Sequence, residues 1–223
     1  MDQDSEAIWD AYNLLLLGPD VERLRKLLVR HYLFQLSLDI PGDIVECGVF
    51  KGAGLMLWLK LLHIYAPGSA KRVIGFDTFG LFAAGMTPQE ALAAHDLIVE
   101  AHYEGLDPRE LYQRVEDAGI SRERCELIAG DIRQTAEAYV TRNPGFRISL
   151  LHLDLDLEEA TFAALEAFWP RVVVGGVVIF DEYAISRWTE SNAVDRFFVG
   201  KSVQIKTLHW ARTPTAYAIK GTL

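Results

Sequence analysis

DIVECGVFKGAGLMLWLKLL, residues 43–62, is a short apolar run that turns through glycines straight into a long apolar one. Ile44 and Val45 are β-branched and apolar, and Glu46 stands where such a strand should end. Gly48, Gly52 and Gly54 let a backbone approach a ligand closely before a helix begins. In an open parallel sheet this is the first strand-to-helix crossover. Ligands bind at its carboxyl end, where free helix N–H groups favour anionic groups. The glycines do not follow the dinucleotide pattern G-x-G-x-x-G: Gly48 is followed after three residues by Gly52 and after one more by Gly54. A nucleoside site of another kind is therefore favoured over a pyrophosphate cradle.

Further strands follow the same logic. Lys71 to Asp77 is an apolar run ending in a carboxylate, about as far from the glycine turn as nucleoside-binding α/β folds place the acid that accepts from a ribose diol. A helix N-cap or a turn is the plainer role for Asp77. Cys125 to Asp131 reads as a third strand running into a Gly130-Asp131 turn, and Ala136 to Tyr139 starts a helix that ends before Asn143-Pro144. Ile148 to Leu157, ISLLHLDLDL, reads as a fourth strand. Strand alternation puts His152, Asp154 and Asp156 on one face, opposite Leu153, Leu155 and Leu157. Two unpaired carboxylates buried that close would cost several kcal/mol each, so a cation, a base or a cleft must offset them. After a helix from Glu158 to Trp169, the run Pro170 to Tyr183 supplies a fifth strand, again ending in acids. Asp154, Asp181 and Glu182 would converge at one end of the sheet, an oxygen-rich set suited to Mg²⁺. Such an ion could lower the pKa of an acceptor hydroxyl. No His/Cys set suggests zinc.

Residues 1–40 read as a helical extension broken at Gly18-Pro19, whose basic residues Arg23, Arg25, Lys26 and Arg30 read as a solvated face. Residues 79–120 form an insertion far longer than an ordinary βα connection. Helices are expected over Pro88 to His102 and Pro108 to Ala118, as a lid over the acceptor site or as a plain crossover with one extra helix. His95 and His102 there read as surface residues. Val203 to Trp210 and Thr215 to Lys220 read as a closing β-hairpin.

The 223 residues, half of them hydrophobic, suit a single domain with a sizeable core. Lysine and arginine total 22 against 31 acids, for a net charge of −9, so nucleic acid is a poor partner. Cys47 and Cys125 follow no metal spacing, no leader with a cleavage site is seen, and the four-leucine run Leu14 to Leu17 is too short to span a membrane. A soluble cytoplasmic protein is expected, with no membrane partner and a homo-oligomer left open.

The E-C-G-V-x-x-G turn, F-D-T-F (residues 76–79), L-H-L-D-L-D-L (residues 151–157), the run from Pro170 to Tyr183 and Ala193-Val194-Asp195-x-Phe197-Phe198 occur in that order. Together they resemble the macrocin and mycinamicin sugar O-methyltransferases, of class I methyltransferase fold, over roughly residues 20 to 220. The resemblance implies a seven-stranded, mostly parallel α/β sheet with a C-terminal antiparallel hairpin, and S-adenosylmethionine as cofactor. The donor would lie against Glu46, Cys47, Gly48, Val49 and Gly52, then Asp77, Thr78 and Phe79, then Gly130, Asp131, Ile132 and Asp154. Glu46 and the glycine turn would take its methionine part, and Asp131 and Ile132 its adenine, although a plain Gly-Asp turn would look identical. The same resemblance gives the metal to Asp154, Asp181 and Glu182, and the catalytic place nearest the acceptor proton to Asp154 or Asp156. It implies a small-molecule acceptor, a sugar hydroxyl in a natural-product intermediate. Two positions depart from the family pattern: Glu158 stands where tyrosine is usual, and the second acid pair is Asp-Glu rather than Asp-Asp. Metal-independent methylation of an amine or carboxyl group, or a non-catalytic nucleoside-binding module, are the rival readings.

Overall fold

The computed structural model describes residues 3–221. Two helices, α1 (Gln3–Leu17) and α2 (Glu22–Ser37), precede β1 (Asp43–Cys47) and α3 (Ala53–Tyr65). Then come β2 (Val73–Asp77), α4 (Pro88–Ala101), α5 (Pro108–Asp117), β3 (Cys125–Ala129), α6 (Ile132–Arg142) and β4 (Ile148–Leu153). The chain closes with α7 (Glu158–Phe168), β5 (Val172–Phe180), α8 (Glu190–Phe198) and β6 (Ala216–Ile219). The strands are ordered β3-β2-β1-β4-β5-β6, all parallel except β6, which runs antiparallel to β5.

The runs that form β1, β2 and β4 are apolar without alternation because helices cover both faces of the sheet. One core packs Phe76, Phe168, Phe180 and Leu151 under α6, α7 and α8, and the other packs Phe34, Trp58, Leu62 and Ile179 under α2, α3 and α5. Each such side chain, fully buried, contributes about 1.5–3 kcal/mol. The α1 helix keeps apart from both cores, with Trp9, Leu14 and Leu17 exposed. No helix among the described residues is long and apolar enough to cross a membrane.

The structure differs from the sequence expectations at three boundaries. Among the described residues the sheet has six strands, not seven: of the expected strand from Val203 to Trp210 only the single bridge between Lys206 and Tyr217 forms. The Leu208 carbonyl accepts from Ala211 N–H in a turn, and Thr215 N–H donates to the Asp181 carbonyl, so the ladder stops after one pair. The α6 helix starts at Ile132 rather than Ala136, because the Asp131 side chain caps it by accepting from Arg133 N–H. Finally, β4 ends at Leu153. Asp156 has a left-handed φ of 66°, so strand alternation does not reach it and does not put it on a face with His152.

Candidate active site

Register builds the site. Cys47 pairs with Phe76 and with Leu153, Asp77 pairs with Ala129, and Leu153 pairs with Phe180. The carboxyl ends of five neighbouring strands therefore bring Gly130, Asp77, Gly48, Asp154 and Asp181 into one row. The connections reverse direction between β1 and β4, which is where open α/β sheets bind ligands. A cavity of about 470 Å³ opens there. Gly48, Phe50, Asp77, Thr78, Gly130, Asp131 and Ile132 line one end of it, and Lys26, Asp154, Asp156, Glu182 and Trp188 the other. The residues leading into α4, Phe82 to Met86, cover it together with Leu97 and Tyr103.

At the first end, the glycine turn is held by Asp77. Its Oδ2 accepts from Val49 N–H at 2.7 Å and Phe50 N–H at 2.8 Å, and its Oδ1 from Phe79 N–H at 2.7 Å. The Thr78 hydroxyl stands 3.3 Å from Oδ1 and donates to the Leu81 carbonyl at 2.9 Å. That long contact is the one a ligand hydroxyl can replace. Asp131 faces the cavity with both carboxylate oxygens on the Arg133 guanidinium, which also donates to the Ala84 carbonyl at 2.6 Å. Arg133 thereby fastens the cover to the β3 turn, and its pairing holds the Asp131 carboxyl below its ordinary range.

Several residues expected to touch the donor stand behind the turn instead. Glu46 does not line the cavity; it lies on the α3 face of the sheet, 1% exposed. There Glu46 Oε1 accepts from Trp58 Nε1 at 3.2 Å and lies 3.1 Å from His152 Nδ1. Alternation along β1 turns Glu46 toward α3, so the structure does not bring it to the cavity where the methionine part of a donor was expected. The Cys47 thiol is in the core, where burial pushes its pKa well up. Val49 and Phe79 belong to the opposite core, and Gly52 lies under Leu111. Those four shape the turn without lining the cavity.

At the second end, Asp181 is fully buried and contacted by three basic side chains. Its Oδ2 accepts from Lys26 Nζ at 2.7 Å, while its Oδ1 lies 3.1 Å from His152 Nε2 and 3.4 Å from Arg30 Nη2. Burial alone would raise its pKa, but Lys26, His152 and Arg30 outweigh that and hold it far below the usual carboxylate range. Burial would likewise discharge His152, as would Arg30; hydrogen bonds to Asp181 and Glu46 outweigh both and raise its pKa. The neighbouring acids are less well compensated. Asp154, which accepts from Arg30 Nη2 at 3.2 Å, is raised by burial and by Asp181. Asp156 is raised well up by burial and by Asp154, and Glu182 is pushed up to about 7 by burial and by Asp181 and Asp154. Below them, buried Glu190 supports the loop by accepting from Glu182 N–H at 3.1 Å; burial and the Asp181 charge raise its pKa well up. Carboxyl groups crowded this way at a cavity wall can take up a proton or share a cation.

Lys26 and Arg30 were expected on a solvated face, and the structure brings them to the acids instead. Residues 26, 30, 33 and 37 fall on one stripe of a helix, and Leu33 and Ser37 are buried on it. That spacing was the signal that α2 turns two cations toward the sheet. The loop after β5 divides its side chains: Trp188 lines the cavity, Arg187 donates to Glu100 and the Ala93 carbonyl on α4, and Tyr183 donates to Asp195. Glu158 lies outside the cavity and pairs with Arg196 at 2.8 Å. His95 and His102 are exposed.

Comparison with known proteins bears on this geometry. The family model described as macrocin O-methyltransferase (TylF) matches residues 22–210. The 8-demethyl-8-(2,3-dimethoxy-alpha-L-rhamnosyl)-tetracenomycin-C 4'-O-methyltransferase of Streptomyces olivaceus is 28% identical over 156 residues, covering 67% of this chain and 56% of that protein. The demethyldecarbamoylnovobiocin O-methyltransferase of Streptomyces niveus is 25% identical over 149 residues, 65% of this chain and 54% of that protein. The chain thus spans about half the length of the curated relatives it matches. Among solved structures, CalS11, a calicheamicin methyltransferase, is 28% identical with a TM-score of 0.74, covering 100% of this chain and 94% of that one.

Proposed function

The chain belongs to the macrocin O-methyltransferase (TylF) family, and from that premise we propose that it moves the methyl group of S-adenosylmethionine to a hydroxyl of a small natural-product molecule, a sugar by preference. One observation carries this reading: the glycine turn and Asp154 touch backbone to backbone, with Asp154 N–H donating to the Cys47 carbonyl at 2.9 Å. The nucleoside end and the acid end therefore face each other across one cavity. Both relatives are named O-methyltransferases, and the rhamnosyl group in the printed name of the Streptomyces olivaceus enzyme supports the choice of a sugar acceptor.

In this reading Gly48, Asp77, Thr78, Gly130, Asp131 and Ile132 bind the donor, with Asp77 toward the ribose and Asp131 toward the adenine. The sulfonium already activates the methyl group. The chain's task is then to set an acceptor oxygen in line with it, about 3 Å away, and to take its proton. Asp154 or Asp156 receives that proton, both lining the cavity and both held above the ordinary carboxylate range. Residues 79–120 act as a lid and residues 1–40 as a cap on one methyltransferase domain. Covering the cavity from Phe82 to Met86 excludes water from the reacting atoms.

Mg²⁺ fits the acid end. Asp154 and Asp181 bring carboxylate oxygens within reach of one another, with the His152 ring nitrogen beside them and Glu182 on the cavity wall, and the like charges of Asp181 and Asp154 that raise Glu182 are what a divalent cation relieves. Asp154, Asp181 and Glu182 would hold it, and bound there it would supply Lewis acidity that makes a hydroxyl easier to deprotonate. A second reading, transfer without metal, is favoured by Lys26 and Arg30, which already put two positive charges on these acids. Chelation separates the two: activity should be lost in excess chelator and return with Mg²⁺, whereas full turnover in chelator would leave the metal out. The donor assignment has its own test. Asp77→Ala frees the turn and should abolish calorimetric binding of S-adenosylhomocysteine; unchanged affinity would refute the ribose role.

A further inference from the structure

One lysine stands between Asp181 and the cavity. Asp181 has no exposed surface and does not line the cavity, whereas Lys26 does, with 24% of its side chain exposed. Lys26 Nζ sits 2.7 Å from Asp181 Oδ2, and Arg30 and His152 contact the opposite oxygen, Oδ1. Asp154 and Glu182 line the cavity directly. A cation entering from the cavity meets those two at once, and finds the third carboxylate already held by an ammonium group.

We propose that Lys26 is a tethered counter-ion that competes with a divalent cation for Asp181, so that metal binding requires the lysine arm to swing out. This rests on the metal reading given above and adds to it the residue that sets the affinity. Lys26 is the cation able to leave. It makes one contact at the end of a flexible four-carbon stem. Arg30 bridges Asp154 and Asp181 with 9% of its side chain exposed and lies 5.9 Å from the Trp58 ring, and His152 is fixed between two carboxylates with no exposure. An ammonium and a divalent ion both on Oδ2 would sit within a few ångströms of each other in a water-poor site and repel strongly. A divalent ion that takes Oδ2 therefore does so at the expense of Lys26, and removing the ammonium removes the competitor.

Titration calorimetry with MgCl₂ on the wild type, Lys26→Met and Lys26→Gln tests this, with thermal unfolding of each protein recorded with and without Mg²⁺. Both variants should bind Mg²⁺ at least tenfold more tightly than the wild type. Without Mg²⁺ their unfolding temperature should fall, since Asp181 Oδ2 is left unpartnered, and Mg²⁺ should restore it by more than it shifts the wild type. Asp181→Asn, which removes the contested ligand, should bind Mg²⁺ more weakly than the wild type. Equal or weaker Mg²⁺ affinity in both lysine variants, with the wild type binding, overturns the competition alone. Absence of Mg²⁺ binding in the wild type and both lysine variants overturns the metal reading with it, while S-adenosylhomocysteine titrated into the same samples reports separately on the donor site.

Discussion

Gly48→Ala is expected to destroy donor binding and to destabilise the fold by about 3 kcal/mol or more. The glycine has φ +93°, a conformation that L side chains adopt only under strain, and a methyl group on it would lie 1.9 Å from the Asp154 carbonyl oxygen and 2.8 Å from its carbon. Strain of the first kind alone costs about 1–3 kcal/mol. The clash adds to it, and because both atoms are main chain it cannot be relieved by rotating a side chain. Relief requires β1 and β4 to separate where Asp154 N–H meets the Cys47 carbonyl. Thermal unfolding together with S-adenosylhomocysteine calorimetry checks this; a variant with the wild-type melting temperature and donor affinity would show the turn to be looser than described.

Asp154→Asn should instead leave donor affinity within a few-fold and lower kcat by about 10²- to 10⁴-fold, the range associated with a positioned acid or base. The amide keeps the shape of the side chain and removes the charge. Its cost to stability should be small, because two effects oppose: Arg30 loses one carboxylate at 3.2 Å, and the buried acids Asp181 and Asp156 lose a repelling neighbour. Steady-state kinetics on a glycoside acceptor, paired with donor calorimetry, reads the split. A kcat within tenfold of the wild type would remove Asp154 from the chemistry and leave Asp156 as the proton acceptor.

Much of this architecture could be read from the chain because each parallel strand is an apolar run closed by a glycine or an acid. Asp43 to Cys47, Val73 to Asp77 and Val172 to Phe180 announce themselves in that way. The acids that face the cavity were legible for the same reason, since a carboxylate at the end of a buried run needs compensation. What alternation could not give was the conformation just past a strand end. Asp156 itself takes a left-handed backbone, and Glu46, two residues before Gly48, faces the α3 layer. The cations were hidden by distance along the chain: Lys26 and Asp181 are 155 residues apart, and nothing local to either names the other. The expected last hairpin failed on particular hydrogen bonds, because Leu208 and Thr215 spend their backbone groups elsewhere.

The His152 ring has a consequence for how the sheet assembles. Parallel backbone ladders are nearly indifferent to a shift along the strand, and a slip of one residue turns every side chain to the other layer. His152 on β4 reaches Glu46 on β1 through one nitrogen and Asp181, just past β5, through the other. A misaligned central strand would leave the buried imidazole without either carboxylate and take one partner from each of them, a penalty above that of any single missed ladder contact. Proofreading of strand alignment is thus written into three polar side chains at the middle of the sheet, and only correctly threaded molecules go on to assemble a working cleft.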